Sequence, residues 1–323
     1  MLRRLRYLAP LTVFVLTQAG CIIYPYRAEL ESRETASVDG LKKLAVETNN
    51  GNITVRCDSA SKDVSIHTIR RASGLSDQDA RQFAEKIEVQ VDGKTEPGVL
   101  RVAAKMPLQS MNRSPSANFE IVMPPAAEII MRSSNGRVSA EGCERNVDAE
   151  TSNGDIKLAA CRSDVRGHTS NGDIDAKDIS GNVDAETSNG EIDMARVGKS
   201  SVRAVSTNGR IRVADACGAA TIRSSNGSVT FQCRSLPPTG DVEVVTSNGR
   251  VEVEIPSSVK ADLSMSTSNG HVRADLQGAQ VGDFDSHRSH LRAKLNGGGN
   301  RVDLQSSNGS VVVRTRARDT VTQ

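Results

Sequence analysis

The chain contains no Trp, three Tyr and five Phe among 323 residues, an aromatic fraction of 2%. Flat rings are what single-stranded nucleic acids and sugars stack against, so their scarcity argues against both kinds of cleft. A preponderance of one charge is missing as well. With 41 basic and 39 acidic residues the formal charge is +2, which supplies none of the one-sided positive field that nucleic-acid binders carry. Gly-x-Ser-x-Gly, His-Glu-x-x-His, a Walker loop and Cys-x-x-Cys are all absent. The glycines of "LNGGGN" lack the Lys-Ser/Thr of a phosphate loop and read as a turn. These absences point away from an enzyme, and no cofactor is expected.

Long apolar runs are confined to the start. Residues 1–20, "MLRRLRYLAPLTVFVLTQAG", set Arg3, Arg4 and Arg6 ahead of an apolar run that ends in small residues, the layout of a secretory signal peptide. No later segment approaches the ~20 apolar residues of a spanning helix. Ala19-Gly20-Cys21 resembles a bacterial lipobox, although Gln18 stands where that motif has an apolar or small residue. Cys21 is therefore the expected lipidation site, residues 21–39 a lipid-anchored tether, and the membrane the first expected partner. Ile22 and Ile23 offer no Asp retention signal, which in a Gram-negative cell favours the outer membrane, facing the periplasm or the cell surface.

What the sequence has in abundance is one phrase. "AETSNGDIKLA" at 149–159 returns with small changes along most of the chain. Its brackets are Asn135-Gly136, Asn153-Gly154, Asn171-Gly172, Asn189-Gly190, Asn208-Gly209, Asn226-Gly227, Asn248-Gly249, Asn269-Gly270 and Asn308-Gly309, with an early copy at Asn50-Gly51. From Gly136 to Gly227 the spacing is 18 or 19 residues, and a fixed period of that kind signals a repeat architecture. With each bracket glycine as zero, position minus seven is apolar in every copy, as in Val147, Val165 and Val183. So are plus two, as in Ile156, Ile174 and Ile192, and plus four, as in Leu158 and Met194. Alternation on both sides of the bracket means two strands per copy, each with one dry face.

Asn-Gly between alternating segments is also a strong hairpin signal. A hairpin meander, however, would leave some twenty strands sharing one apolar face that a single helix cannot cover. A third apolar place at plus seven, filled by Cys143, Cys161, Ile179 and Val197, suggests three inward segments and three corners per copy. The expectation is an all-β, single-chain parallel β-solenoid of about 18-residue coils, right-handed because parallel crossovers almost always are. Each bracket would be a corner, with Gly in the left-handed conformation and the Asn amides bonded from coil to coil. One short helix is expected over 76–88, "SDQDARQFAEKIE", behind Ser76 as N-cap. Residues 40–128 form an N-terminal β region with that helix, 129–315 the main solenoid and 316–323 a disordered tail. The segment "HLRAKLNGGGNRVDLQSSNGSVVVR" is the expected end cap.

The Thr-Ser-Asn-Gly-Asp-Ile brackets, the "MPP" leading into "IIMRSSNGRVSAEG", and the closing "LNGGGNRVDLQSSNGSVVV" together resemble the bacterial adhesin-like, β-strand-repeat domain family of unknown function, over most of residues 40–315. The resemblance implies a toast-rack-like β-solenoid on an exported or envelope-anchored protein, and it implies no catalytic residues.

Candidate sites are few. "DFDSHRSH" sets Asp283, Asp285 and His287 along a possible strand with His290 following, all suitable metal ligands; a solvated polar segment is the alternative, and no metal is assigned. Asp155, Asp173 and Glu191 repeat at plus one, with Asp175 and Asp193 at plus three; a wet, screened face is the simpler reading of them than a Ca²⁺ ladder. Cys143 and Cys161 share position plus seven one period apart, which makes them disulfide candidates in an oxidising compartment. Cys217 and Cys233 are a second pair, and Cys57 is left over. Three functions fit: a surface-binding or structural module contacting an envelope protein or glycan, an envelope-stress scaffold or signalling partner, and a glycan-active β-helix enzyme. Scarce aromatics and unpaired carboxylates count against the third.

Overall fold

The computed structural model describes residues 24–107, 113–197, 201–238 and 240–316. Among them are 27 strands and one helix, and the strands form two long sheets of 13 and 14 members. Each bracketed copy contributes one strand to each sheet. In the Gly172 coil, Val165–Thr169 lies in the 14-stranded sheet and Ile174–Ile179 in the 13-stranded one. Alternate residues enter the core, so Val165, Thr169, Ile174, Ala176 and Ile179 are buried while Arg166 faces solvent. Period-two alternation leaves one face of each strand dry, and closing two such faces on each other makes one core that runs the length of the stack.

Stacking is parallel and in register. Val147, Val165, Val183 and Val202 follow one another across one sheet, and Ile156, Ile174, Ile192 and Ile211 across the other. A hairpin meander would have paired these strands antiparallel. The coil nevertheless has two sheet-forming sides, where the sequence suggested three inward segments. Its third side is one residue wide: Cys143, Cys161, Ile179 and Val197 are buried there, each just after a residue with positive φ. Those residues are Gly142, Ala160, Asp178 and Arg196, with Asp215 in the same place one coil on, at φ between 53° and 76°.

Sequence order and stacking order part at both ends. The Gly51 coil is flanked on the outside by a coil without a bracket, Val99–Lys105 and Ser116–Met123, and on the inside by the Gly136 coil. The 13-stranded sheet then continues outward through two antiparallel strands, Asp63–Gly74 and Tyr26–Ser37. Tyr26–Ser37 therefore corrects the expected tether, because most of residues 21–39 is a paired edge strand. Eight of its twelve residues are exposed and none is fully buried, which is why the sequence carried no clear alternation there. Residues 40–128 and 129–315 share both sheets and a single core.

The helix Asp77–Glu85 begins as expected, with the Ser76 hydroxyl accepting from the Asp79 amide at 3.1 Å. It packs Phe83 and Ala84 on Ala72 and Leu30 of the outer strands. Arg113 sits 4.8 Å from the rings of both Phe83 and Tyr24 and pairs with Asp79 at 2.9 Å.

At the other end the last coil in sequence is not the last in space. The Gly309 coil, Asn300–Ser306 and Val311–Arg316, lies between the Gly249 and Gly270 coils: Val311 pairs with both Val251 and Val272, and Val302 with both Val242 and Leu263. The expected cap is thus split. His290–Leu295 and Val281–Ser286 close the 14-stranded sheet by antiparallel pairing, whereas residues 300–316 are internal. Residues 317–323 and the signal segment with Cys21 lie outside the described residues.

Candidate functional site

The brackets are built from three ladders. Asn amides form the first: the Nδ2 of Asn135, Asn153, Asn171, Asn189, Asn208, Asn226 and Asn248 each donates to the Asn Oδ1 of the preceding coil at 2.7–2.8 Å. Asn308 continues to Asn248 and Asn269 to Asn308, so the ladder follows spatial order through the inserted coil. The second ladder lies at minus three, where Thr or Ser is buried in every bracketed coil. Thr151, Thr169 and Thr187 donate to the carbonyls of Gly136, Gly154 and Gly172 at 2.9–3.1 Å, and Thr246, Thr267 and Ser306 repeat this at the far end. A buried hydroxyl needs a partner, and the bracket glycine one coil back supplies it. Sequence reasoning gave this Thr/Ser no role, although its recurrence in the phrase was the available signal.

The third ladder is the glycines themselves, and here the structure corrects the expectation. From Gly136 to Gly309 no bracket glycine has a positive φ; Gly51, at 149°, is the exception among the ten. They are glycine because of close approach. A Cβ on Gly154, Gly172 or Gly190 would fall well under 3.0 Å from the carbonyl of the bracket glycine before it. Left-handed backbone occurs instead at plus six, mostly on residues that are not glycine.

Several of the acidic repeats are engaged within the stack. Asp173 accepts the Glu191 amide at 2.8 Å and Asp155 the Asp173 amide at 3.3 Å. Asp155 also pairs with Arg137 and Asp175 with Lys177. On the other sheet Arg203 bridges Asp184 and Glu186 of the preceding coil, and Arg132 bridges Asp148 and Glu150 of the following one. Cross-coil bonds thus engage Asp155, Asp173, Asp184, Glu186, Asp148 and Glu150, whereas Asp175 is paired within its own strand.

All five described cysteines are thiols. Cys57, expected to stand apart, lies with its Sγ 3.2 Å from that of Cys143, which itself contacts Cys161; the three make a column at the corner. Hydrogen bonding to Cys161 and Cys57, reinforced by burial, holds the Cys143 thiol far above the usual thiol range. Cys233 is pushed up to about 12, chiefly by burial and also by its neighbour Cys217.

The "DFDSHRSH" residues separate. Asp283 pairs with Lys294 at 2.6 Å, away from the other three. Asp285, His287 and His290 do converge, with one ligand atom from each lying within 4.8 Å of the others.

Two long, mainly parallel sheets joined at every bracketed coil by Asn, hydroxyl and glycine ladders define a β-solenoid of the toast-rack type. The chain belongs to the Toastrack DUF4097 family, whose model matches residues 35–314. A comparison with curated proteins finds no match. Among solved structures the chain is similar to a candidate cell-adhesion protein from Clostridium sporogenes, at 12% identity over 90% of this chain and 100% of that one, TM-score 0.29. A candidate adhesin from Bacteroides fragilis aligns at 11% identity over 89% of this chain and 97% of that one, TM-score 0.37.

Proposed function

We propose that the protein is a non-enzymatic envelope lipoprotein that uses its solenoid as a rigid spacer, held at one end by a lipid on Cys21 and meeting an envelope protein or glycan along its surface or at its far end. The observation that carries this reading is the position of the first strand. Tyr26–Ser37, only a few residues beyond Cys21, is the outermost strand of the 13-stranded sheet, and Val272–Asp275 is the strand at the opposite extreme. Thirteen strands at about 4.8 Å span roughly 55–60 Å, so an anchor at Cys21 would leave the other end that far from the attachment point. Antiparallel strands close both ends of the 14-stranded sheet and the N-terminal end of the 13-stranded one, which limits the edges on which a second copy could continue the parallel stack.

Metabolic labelling with an alkyne fatty acid tests the anchor. Wild type is expected to take the label and stay with membranes, and Cys21→Ala to lose both. An unlabelled wild type would reject the anchor, and hydrolysis or cleavage of envelope glycans by purified protein would reject the non-enzymatic part.

A further inference from the structure

We propose that Asp285, His287 and His290 form a binding site for one late first-row divalent metal ion, of the Zn²⁺ and Cu²⁺ class, at the end of the solenoid remote from the N-terminal strand. The site is carried by the antiparallel hairpin of Val281–Ser286 and His290–Leu295. Its Asp285 carboxylate faces one ring nitrogen of each imidazole, with Oδ1 3.2 Å from Nδ1 of His287 and Oδ2 3.8 Å from Nε2 of His290. The two rings stack at 4.3 Å between centroids and 17° between planes. In a tetrahedral site two ligands at 2.0–2.1 Å stand about 3.3–3.4 Å apart, so a set lying within 4.8 Å needs a closure of at most about 1.4 Å. Side chains this exposed can make that adjustment by rotation.

Three features make this more than an accident of a polar turn. First, the hairpin tip is fastened to the solenoid. Thr267 and Val272 donate their amides to the carbonyls of Ser289 and Arg288, and Arg288 reaches His271 at 3.3 Å. The tip also closes on itself, His287 N–H donating to the His290 carbonyl at 2.8 Å. Ligands on a fastened element lose less freedom on binding than ligands on a free loop. Second, a β-bulge between Gly282 and Asp285 interrupts the strand's alternation, with Asp283 at φ 44°. Bulges of this kind re-aim a side chain, and here the two aspartates are divided: Asp283 goes to Lys294 while Asp285 goes to the histidines. Third, Asp285 makes no ion pair with a Lys or Arg among the described residues, although Arg292 stands opposite it across the hairpin, and its carboxylate oxygens approach the imidazoles instead.

Two imidazoles and one carboxylate, without a thiolate, suit Zn²⁺, Cu²⁺ or Ni²⁺ and not Ca²⁺ or Mg²⁺, which take oxygen ligands, nor Cu⁺, which takes sulfur. Three protein ligands leave at least one position open to water or an external donor.

Titration calorimetry of the full chain in detergent with Zn²⁺ is the test, together with electron paramagnetic resonance of the Cu²⁺ form. One ion per chain is expected, with nitrogen hyperfine coupling from two imidazoles. His287→Gln and His290→Gln should each weaken binding at least tenfold and leave one coupled nitrogen, while Asp283→Asn should bind within twofold of wild type. Unchanged urea midpoints of the metal-free variants would establish that they fold. The proposal is overturned if the His287→Gln/His290→Gln double variant binds like wild type, or if wild type binds none of Zn²⁺, Cu²⁺ and Ni²⁺ below about 1 mM.

Discussion

Swapping glycine and alanine within neighbouring coils should change stability in opposite directions, because the two glycine-like positions of the repeat are demanding for different reasons. At Gly172 a methyl group would stand well under 3.0 Å from the Gly154 carbonyl and 2.9 Å from the Asp155 amide nitrogen. Both neighbours are backbone, fixed by the strand ladder, so the coils would have to part by on the order of 1 Å at that corner. Overpacking of this kind costs about 1–3 kcal/mol. Parting the coils also strains the Thr169 and Thr187 bonds to the glycine carbonyls, and leaving even one such buried group unsatisfied adds about 1–3 kcal/mol. Gly172→Ala should therefore destabilise by roughly 2–6 kcal/mol. Ala160 sits at the true left-handed corner, φ 53°, where an L side chain costs about 1–2 kcal/mol. Part of the relief is offset by glycine's greater freedom in the unfolded chain, so Ala160→Gly should stabilise by about 0.5–1 kcal/mol. Urea unfolding followed by far-ultraviolet circular dichroism reads both. Gly172→Asn separates the two explanations, since Asn tolerates left-handed backbone but brings a Cβ. If Gly172→Ala or Gly172→Asn stayed within 1 kcal/mol of wild type, close approach would be the wrong reason for the glycine ladder.

Within the brackets, Thr187→Val should cost about 1.5–3 kcal/mol, because it strips partners from both the Gly172 carbonyl and the Gly190 amide in the dry interior; the exposed Asn189→Ala should cost about 1 kcal/mol, and urea midpoints that reverse this order would refute it. Mild oxidation should join Cys143 to either Cys57 or Cys161 and never to both at once, with Cys143→Ser abolishing both linkages on peptide mapping; a Cys57 to Cys161 bridge in folded protein would contradict the column. Asp79 is held below its ordinary value of 3.8, first by Arg113 and then by the Leu75 amide. A lowered carboxylate contributes stability above its unfolded value and loses it as pH falls through the folded one. The gap between wild type and Asp79→Asn should accordingly be full at neutral pH and vanish in acid, and a gap that widened below pH 3.8 would refute the pairing.

The repeat was legible because its physics is local. Val147, Ile156 and Leu158 announce two dry faces by alternation alone, and equal spacing of the Asn residues is enough to foresee the amide ladder. Stacking order is a different kind of information. Thr267 and Ser306 occupy the same bracket position, so the repeat pattern alone does not say whether the Gly270 or the Gly309 coil follows the Gly249 coil; the Asn300 amide on the Pro237 carbonyl and the Arg301 N–H on Asp241, which tie the Gly309 coil there, are long-range contacts. The reason for the bracket glycines was misread for a related cause: Asn-Gly suggests positive φ from two residues, whereas the constraint comes from a carbonyl one coil away. At the candidate metal site, His287 and His290 could be seen as neighbours. The bulge that separates Asp283 from Asp285, and the lysine across the hairpin that claims Asp283, could not.

The inserted Gly309 coil has a consequence for how the molecule is made. Chain emerging from the ribosome N-terminus first would present the Gly249 coil, then the Gly270 coil and its hairpin, while the segment that belongs between them is still to come. Until Val311–Arg316 arrives, Val272–Asp275 has no neighbour in its sheet, and Ala261–Thr267 has only the hairpin strand His290–Leu295. Completion of the rod therefore depends on a segment made after the hairpin it holds in place. The final coil acts as a bolt slid home after the doors are hung, so a chain cut short by a single coil would lose the closure of its whole far end.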